Sequence, residues 1–183
     1  MSASEEHNKR LQILKEQSQS LSQQLGSRCT KVEFDNAGCP IFWITKDAIV
    51  ESLEILKSST TAPYDFLADL TAYDDLSQSE SGDGRFVVVY QLLSTKTLTR
   101  IRLKARVQEN ATIPTVSSVF AAANWAEREV YDMFGIVFKD HPDLRRILMD
   151  IRWEGHPLRK DYPLRRYQLF NDPEVVPLDL LKE

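Results

Sequence analysis

Cysteine is scarce. Cys29 and Cys39 stand ten apart with no CxxC partner, so the chain lacks the thiolates for an iron–sulfur cluster or a cysteine-held structural zinc. Glycine is scarce as well, and the close pair Gly82 and Gly84 lies in an acidic stretch that would repel phosphate, which excludes a nucleotide-cradling loop. There is no G-x-S-x-G turn, and neither cysteine has neighbours that mark it as a nucleophile; serine and cysteine hydrolases are poor matches. The longest apolar run, Phe86 to Tyr90, is strand-sized and far too short for a membrane-spanning helix. His141 and His156 are fifteen apart, without the compact spacing of a metal site, so Glu127, Glu129, Asp132, His141, His156 and Asp161 are expected to be surface charges and capping groups. The first ten residues carry Glu5 and Glu6 and have neither an apolar signal core nor an arginine-rich character, which predicts a protein that stays where it is made.

What is present suits one α+β body: 183 residues at 42% hydrophobic and 27% charged are enough for a core and too apolar for disorder. Ser2 and Glu5 can cap a first helix carrying Leu11, Leu14, Leu21 and Leu25 as far as Gly26. Residues 31–35 and 41–45 flank Asn36-Ala37-Gly38 as a hairpin, and Thr45 can cap a helix over 46–57 with Ile49, Val50, Leu53 and Leu56 inward. A strand is predicted over 65–73, then an exposed acidic loop over 74–84. Residues 85–94 and 98–107 read as an antiparallel pair. In the second of these, Ile101, Leu103, Ala105 and Val107 alternate with Arg100, Arg102, Lys104 and Arg106, so its basic face cannot be core. Thr115 or Ser117 can cap a long helix with Val119, Ala123, Ala126, Val130 and Phe134 inward, ended by Gly135, and Arg128 and Asp132 form an i,i+4 pair outside.

Beyond Gly135 the character changes. Five of eight prolines fall from Pro142 onward, which predicts a body over 1–138 and an extended arm over 139–183, with at most a turn of helix over 142–148. Fully extended, such an arm reaches on the order of 100 Å. Between Arg145 and Arg166 stand Arg145, Arg146, Arg152, Arg159, Lys160, Arg165 and Arg166. Arginine in that excess fits planar bidentate pairing at an interface better than a merely solvated surface. Glu127 and Glu129 are expected to hold an arginine from the arm. Single-stranded nucleic acid is a rival partner, since Trp153, Tyr162, Tyr167 and Phe170 lie among the charges.

Three ordered blocks carry a resemblance: 123–136 (Ala-Asn-Trp-Ala-Glu-Arg-Glu-Val-Tyr-Asp-Met-Phe-Gly-Ile), 141–148 (His-Pro-Asp-Leu-Arg-Arg-Ile-Leu) and 153–164 (Trp-Glu-Gly-His-Pro-Leu-Arg-Lys-Asp-Tyr-Pro-Leu). Together they resemble the thirty-kilodalton subunit of respiratory complex I, the NADH–quinone oxidoreductase. The resemblance implies a peripheral-arm subunit with no cofactor of its own, with NADH, FMN, iron–sulfur clusters and quinone in neighbouring subunits. It implies docking on the forty-nine-kilodalton-type quinone-site subunit, and no nucleic acid partner. The complex would place the protein on the cytoplasmic face of a bacterial inner membrane or the equivalent matrix side. Partner-facing residues are then expected among Trp125, Glu127, Glu129, Arg145, Arg146, His156, Arg159, Lys160, Asp161 and Tyr162. In this reading Arg145, Arg146, Arg159 and Lys160 meet the neighbour's carboxylates, and Trp125, Phe134 and Tyr162 anchor the junction.

Overall fold

The computed structural model describes residues 15–16, 18–60, 62–77, 84–165 and 168. Ser2, Glu5, Leu11 and Leu14 of the expected first helix, most of the acidic loop and the arm beyond 168 lie outside the described residues. The helical run 18–25 (α1) brings Leu21 and Leu25 into the core. Strands β1 (Cys29–Phe34) and β2 (Pro40–Ile44) form the expected antiparallel hairpin. Its turn is organised by Asp35, whose carboxylate accepts the Ala37 and Cys39 amides at 2.9 and 2.8 Å, an Asx-type local bond. A short 3-10 turn, Lys46–Ala48, leads into α2 (Ile49–Lys57), which buries Ile49, Leu53 and Leu56. Burying each contributes about 1.5–3 kcal/mol of transfer free energy. Thr45 caps through its carbonyl, accepting the Ala48 amide, and not through its hydroxyl.

Strands β3 (Phe66–Asp74), β4 (Phe86–Leu93) and β5 (Arg100–Val107) pair antiparallel in succession, and β2 joins β5 in parallel, giving the order β1-β2-β5-β4-β3. The predicted alternation of β5 holds. Ile101, Leu103, Ala105 and Val107 are buried in the single main core, while the basic side faces out. There Arg102 pairs with Asp35 at 2.7 Å, Arg106 with Asp75 at 3.2 Å, and Lys104 sits 5.3 Å from the ring centres of both Trp43 and Tyr73. Long cationic side chains lie over aromatic surface on this side of the sheet.

Two expectations are corrected in the second half. The long helix does not begin at Thr115 or Ser117: residues 115–122 make successive tight turns, and α3 runs Ala123–Phe134. Thr115 is occupied elsewhere, as its hydroxyl contacts Glu127 and Ser117. No turn of helix forms over 142–148, because the amides of Ile147 and Leu148 are turned to the carboxylate of Asp132. A further two-stranded parallel pair, β6 (Thr112–Pro114) with β7 (Val137–Lys139), frames α3 and crosses the position expected to separate body from arm. The resulting architecture is α+β, with a mixed sheet and helices packed on it.

Candidate functional site

An α-helix ends with four carbonyls that have no partner inside it. In α3 all four are occupied. Gly135, at φ 75°, returns its amide to Tyr131 at 2.8 Å. The next three are served from beyond the helix: His156 Nδ1 donates to the Asp132 carbonyl at 3.0 Å, the Leu158 amide to Met133 at 3.1 Å, and Arg159 Nε to Phe134 at 2.6 Å. A carbonyl only accepts, so His156 carries its hydrogen on Nδ1. Its ring is pushed below the usual histidine range, chiefly by burial and secondly by the charges of Arg159 and Arg146, against the pull of the Asp132 carbonyl.

Gly135 is needed twice over. Its positive φ is the left-handed stop expected from the sequence, and a Cβ there would lie 2.5 Å from Arg159 Nη2 and from His156 ring atoms. The arm therefore packs directly onto the bare backbone at the end of the helix. Gly155, at φ 86°, likewise leaves room for the Tyr162 ring, 2.9 Å from where its Cβ would stand.

A carboxylate in the last turn of a helix opposes the helix dipole, and Asp132 is such a carboxylate. It is fully buried and compensated by the arm. Oδ2 accepts the consecutive amides of Ile147, Leu148 and Met149 at 3.1, 2.8 and 2.9 Å, and Oδ1 accepts Arg146 Nη1 at 2.7 Å. Burial works against the charge, but these donors together hold the carboxyl below its usual range. On α3 the carboxylate that receives an arm arginine is thus Asp132 and neither Glu127 nor Glu129. Glu129 is exposed, and Glu127 faces Thr115 and Val116. Arg128 does not pair with Asp132 as the i,i+4 spacing suggested. It donates to the Arg145 carbonyl at 3.2 Å, lies 3.8 Å from Asp143 and stacks 4.8 Å over the exposed Trp125.

A second latch joins the arm to the sheet. Arg85, 3% exposed, holds Asp74 through two bonds of 2.9 and 2.7 Å and Asp161 through two of 3.0 and 2.7 Å, with Glu109 at 3.1 Å. The guanidinium is raised further above its ordinary range by Asp74 and then Asp161. Arg159 Nη1 reaches the other oxygen of Glu109 at 3.2 Å, and the Lys160 amide donates to Asp74 at 2.9 Å. Asp74, expected in an exposed loop, is the buried last residue of β3. Arg145 pairs with its near neighbour Asp143.

Of the residues expected to face a partner, the junction gathers Arg146, His156, Arg159, Lys160, Asp161 and Tyr162, and leaves Trp125, Glu129 and Arg145 exposed at its rim. The sequence pattern did not single out Arg85, Asp74 or Glu109. An arginine opening an otherwise apolar strand, and an aspartate one turn before a helix-ending glycine, are the signals that could have pointed to the two latches. Among the described residues no group of three His, Cys, Asp or Glu side chains could hold a metal ion, and no helix is long and apolar enough to cross a membrane.

The profile of the family described as respiratory-chain NADH dehydrogenase, 30 Kd subunit, matches residues 42–168. The NADH-quinone oxidoreductase C subunit of Geobacter metallireducens is 53% identical over 123 residues, covering 67% of this chain and 73% of that protein. Its counterpart in Paramagnetospirillum magneticum is 40% identical over 156 residues, covering 85% and 76%. A mitochondrial relative in Candida albicans, NADH dehydrogenase [ubiquinone] iron-sulfur protein 3, is 44% identical over 125 residues; the match takes in 68% of this chain and 43% of that longer protein. Among solved structures, a trypsin-resistant fragment of Nqo5 shares 31% identity at a TM-score of 0.52 over 62% of this chain and 89% of the fragment. One component of an archaeal membrane-bound sulfane sulfur reductase shares the fold, at 24% identity and a TM-score of 0.64, over 87% of this chain and 99% of its own length. The latches, the glycine stop and the three sequence blocks fall in or beside the matched region, and the protein belongs to the 30 kDa subunit family of the respiratory-chain NADH dehydrogenase, complex I.

Proposed function

We propose that this protein is a structural, non-redox subunit of the peripheral arm of NADH–quinone oxidoreductase, with NADH, FMN, iron–sulfur clusters and quinone held by its neighbours. It docks on the forty-nine-kilodalton-type quinone-site subunit through the segment from 139 onward. The observation that supports docking is a segment in which several charges are spent on the protein itself while large apolar side chains turn outward. Arg146, His156, Arg159 and Asp161 are spent on the protein's own backbone and side chains, whereas Leu148, Ile151, Leu158 and Leu164 are exposed, as is Trp125 beside Arg128. Large exposed apolar groups on a well-held segment are the material of a partner interface. In this reading Trp125, Glu129, Arg145 and Lys160 touch the neighbour, while Glu127, Arg146, His156, Arg159, Asp161 and Tyr162 hold the surface in shape. The complex would keep the protein at the cytoplasmic or matrix face of its membrane.

The test is native purification of the tagged protein from membranes in mild detergent, followed by identification of what accompanies it. Recovery with cluster-bearing subunits and the quinone-site subunit is expected. Recovery as a free monomer would overturn the proposal.

A further inference from the structure

Glu127 is fully buried, and its carboxylate belongs to neither latch. Oε1 accepts the Val116 amide at 2.7 Å, and Oε2 meets the Thr115 hydroxyl. Thr115 Oγ1 also lies 2.9 Å from Ser117 Oγ and accepts the Ser117 amide at 3.2 Å. A threonine hydroxyl has one hydrogen. When it goes to Ser117, the Oε2 contact needs a hydrogen on Glu127; when it goes to Glu127, the Ser117 hydroxyl is free to donate to Thr115. The row Glu127, Thr115, Ser117 can therefore carry hydrogen bonds running in either direction. Its outer end is open: Thr115 and Ser117 line a cleft of about 610 Å³ together with Ser118, Asn124, Lys139 and Asp140.

The other elements packed around the carboxyl bring two titratable groups. From β4 comes Tyr90, whose buried hydroxyl has no hydrogen-bond partner and is kept in its protonated form first by burial and then by the Glu127 charge. From the segment after β7 comes His141, with Nε2 3.8 Å from Oε2. That ring is already engaged: Nε2 donates to the Asn124 carbonyl and Nδ1 accepts the Asp143 amide, both at 3.0 Å. Among the described residues no lysine or arginine pairs with Glu127. A carboxyl with hydroxyl and amide partners, an orphan phenol nearby and, among the described residues, no lysine or arginine beside it is built to hold a proton.

We propose that Glu127 is a buried proton-binding site, loaded from the cleft through the hydroxyls of Ser117 and Thr115. On loading, a hydronium ion in the cleft gives a proton to Ser117 Oγ and is left as water, the Ser117 hydrogen passes to Thr115 Oγ1, and the Thr115 hydrogen passes to Oε2. Each hydroxyl gives up one hydrogen and receives one, so the net change is one O–H bond on Glu127. Rotation of the two hydroxyls resets the row. Burial, partly offset by Thr115 and Val116, pushes this carboxyl up to about 7, so loading and unloading fall near neutral pH.

The experiment is a pH titration of the full-length protein labelled with 13C at the glutamate carboxyl carbon. One resonance is expected to titrate near neutral pH and to disappear in Glu127→Gln. Thr115→Val, which removes a donor to the charged form, should move that midpoint upward and assigns the resonance even if the glutamine variant fails to fold. Ser117→Ala keeps both of the carboxyl's own hydrogen bonds and breaks the relay. It should leave the midpoint in place while slowing exchange, so that the single averaged peak broadens or splits. A set of glutamates that all titrate in the ordinary carboxylate range would overturn the site. Unchanged exchange in Ser117→Ala would overturn the route.

Discussion

Arg159 Nε donates to the Phe134 carbonyl at 2.6 Å, so the last carbonyl of α3 is closed by a residue twenty-five positions downstream. A cation at the negative end of a helix is favoured by the dipole. Here it also fixes where the arm runs, because the same guanidinium bonds Glu109 and stacks 5.1 Å over Phe86.

Gly135→Ala should cost about 1–2 kcal/mol from the left-handed backbone alone. The added Cβ would also displace His156 and Arg159, which lie 2.5 Å from its position. Thermal unfolding of the isolated protein should show a clear fall in melting temperature, larger than for an alanine placed at the exposed Gly155.

Asp132→Ala leaves the half-buried Arg146 and three amides without their acceptor. Breaking a buried pair from one side typically costs about 3–5 kcal/mol. Limited trypsin digestion is the direct readout, since cleavage after Arg145 and Arg146 should become much faster than in the parent. Protection equal to the parent would mean that Asp132 does not hold this segment.

Arg85→Lys should fail to replace arginine. A lysine ammonium cannot bond Asp74 and Asp161 in pairs as the guanidinium does. Much of the loss, about 3–5 kcal/mol in the alanine variant, comes from leaving Asp74 buried without its cation and with the Lys160 amide as its remaining donor, because Asp161 is half exposed and screened by solvent. Denaturant unfolding of the two variants measures it.

The pH dependence of stability carries a signature of Glu127. Its carboxyl is raised in the fold to about 7 from an ordinary 4.5, so the folded protein binds the proton more tightly than the unfolded one. The associated stability is complete below the unfolded value and is lost as pH rises through the folded one, up to about 3 kcal/mol in all. His156 is shifted down and acts in the opposite sense, so the contribution is the difference between parent and Glu127→Gln across about pH 5 to 8. The variant's stability should fall less with rising pH.

Local chemistry was legible in the sequence: the Gly135 stop, the β1–β2 hairpin and the one-sided alternation of β5 all appear where periodicity and turn residues put them. Nonlocal pairing was not. Nothing in residues 41–43 announces a parallel partner at 102–104, and no local pattern links Arg85 to Asp161, seventy-six residues away. The arginine excess was visible, but its destination was not, since arginine satisfies a backbone carbonyl or an internal carboxylate as readily as a partner's. Thr115 shows the same limit. Its spacing suits a helix cap, and only the position of Glu127 in three dimensions reveals the competing bond.

In the function proposed above, the junction arginines shape the docking surface from inside the protein, and Arg159 is where this is tested most directly. The measurement is the melting temperature and trypsin resistance of isolated Arg159→Ala, with no partner present. A lowered melting temperature together with faster cleavage in the segment after Gly135 is the expected result. An isolated variant indistinguishable from its parent, paired with loss of the neighbouring subunits on native purification, would contradict this role and place Arg159 on the partner.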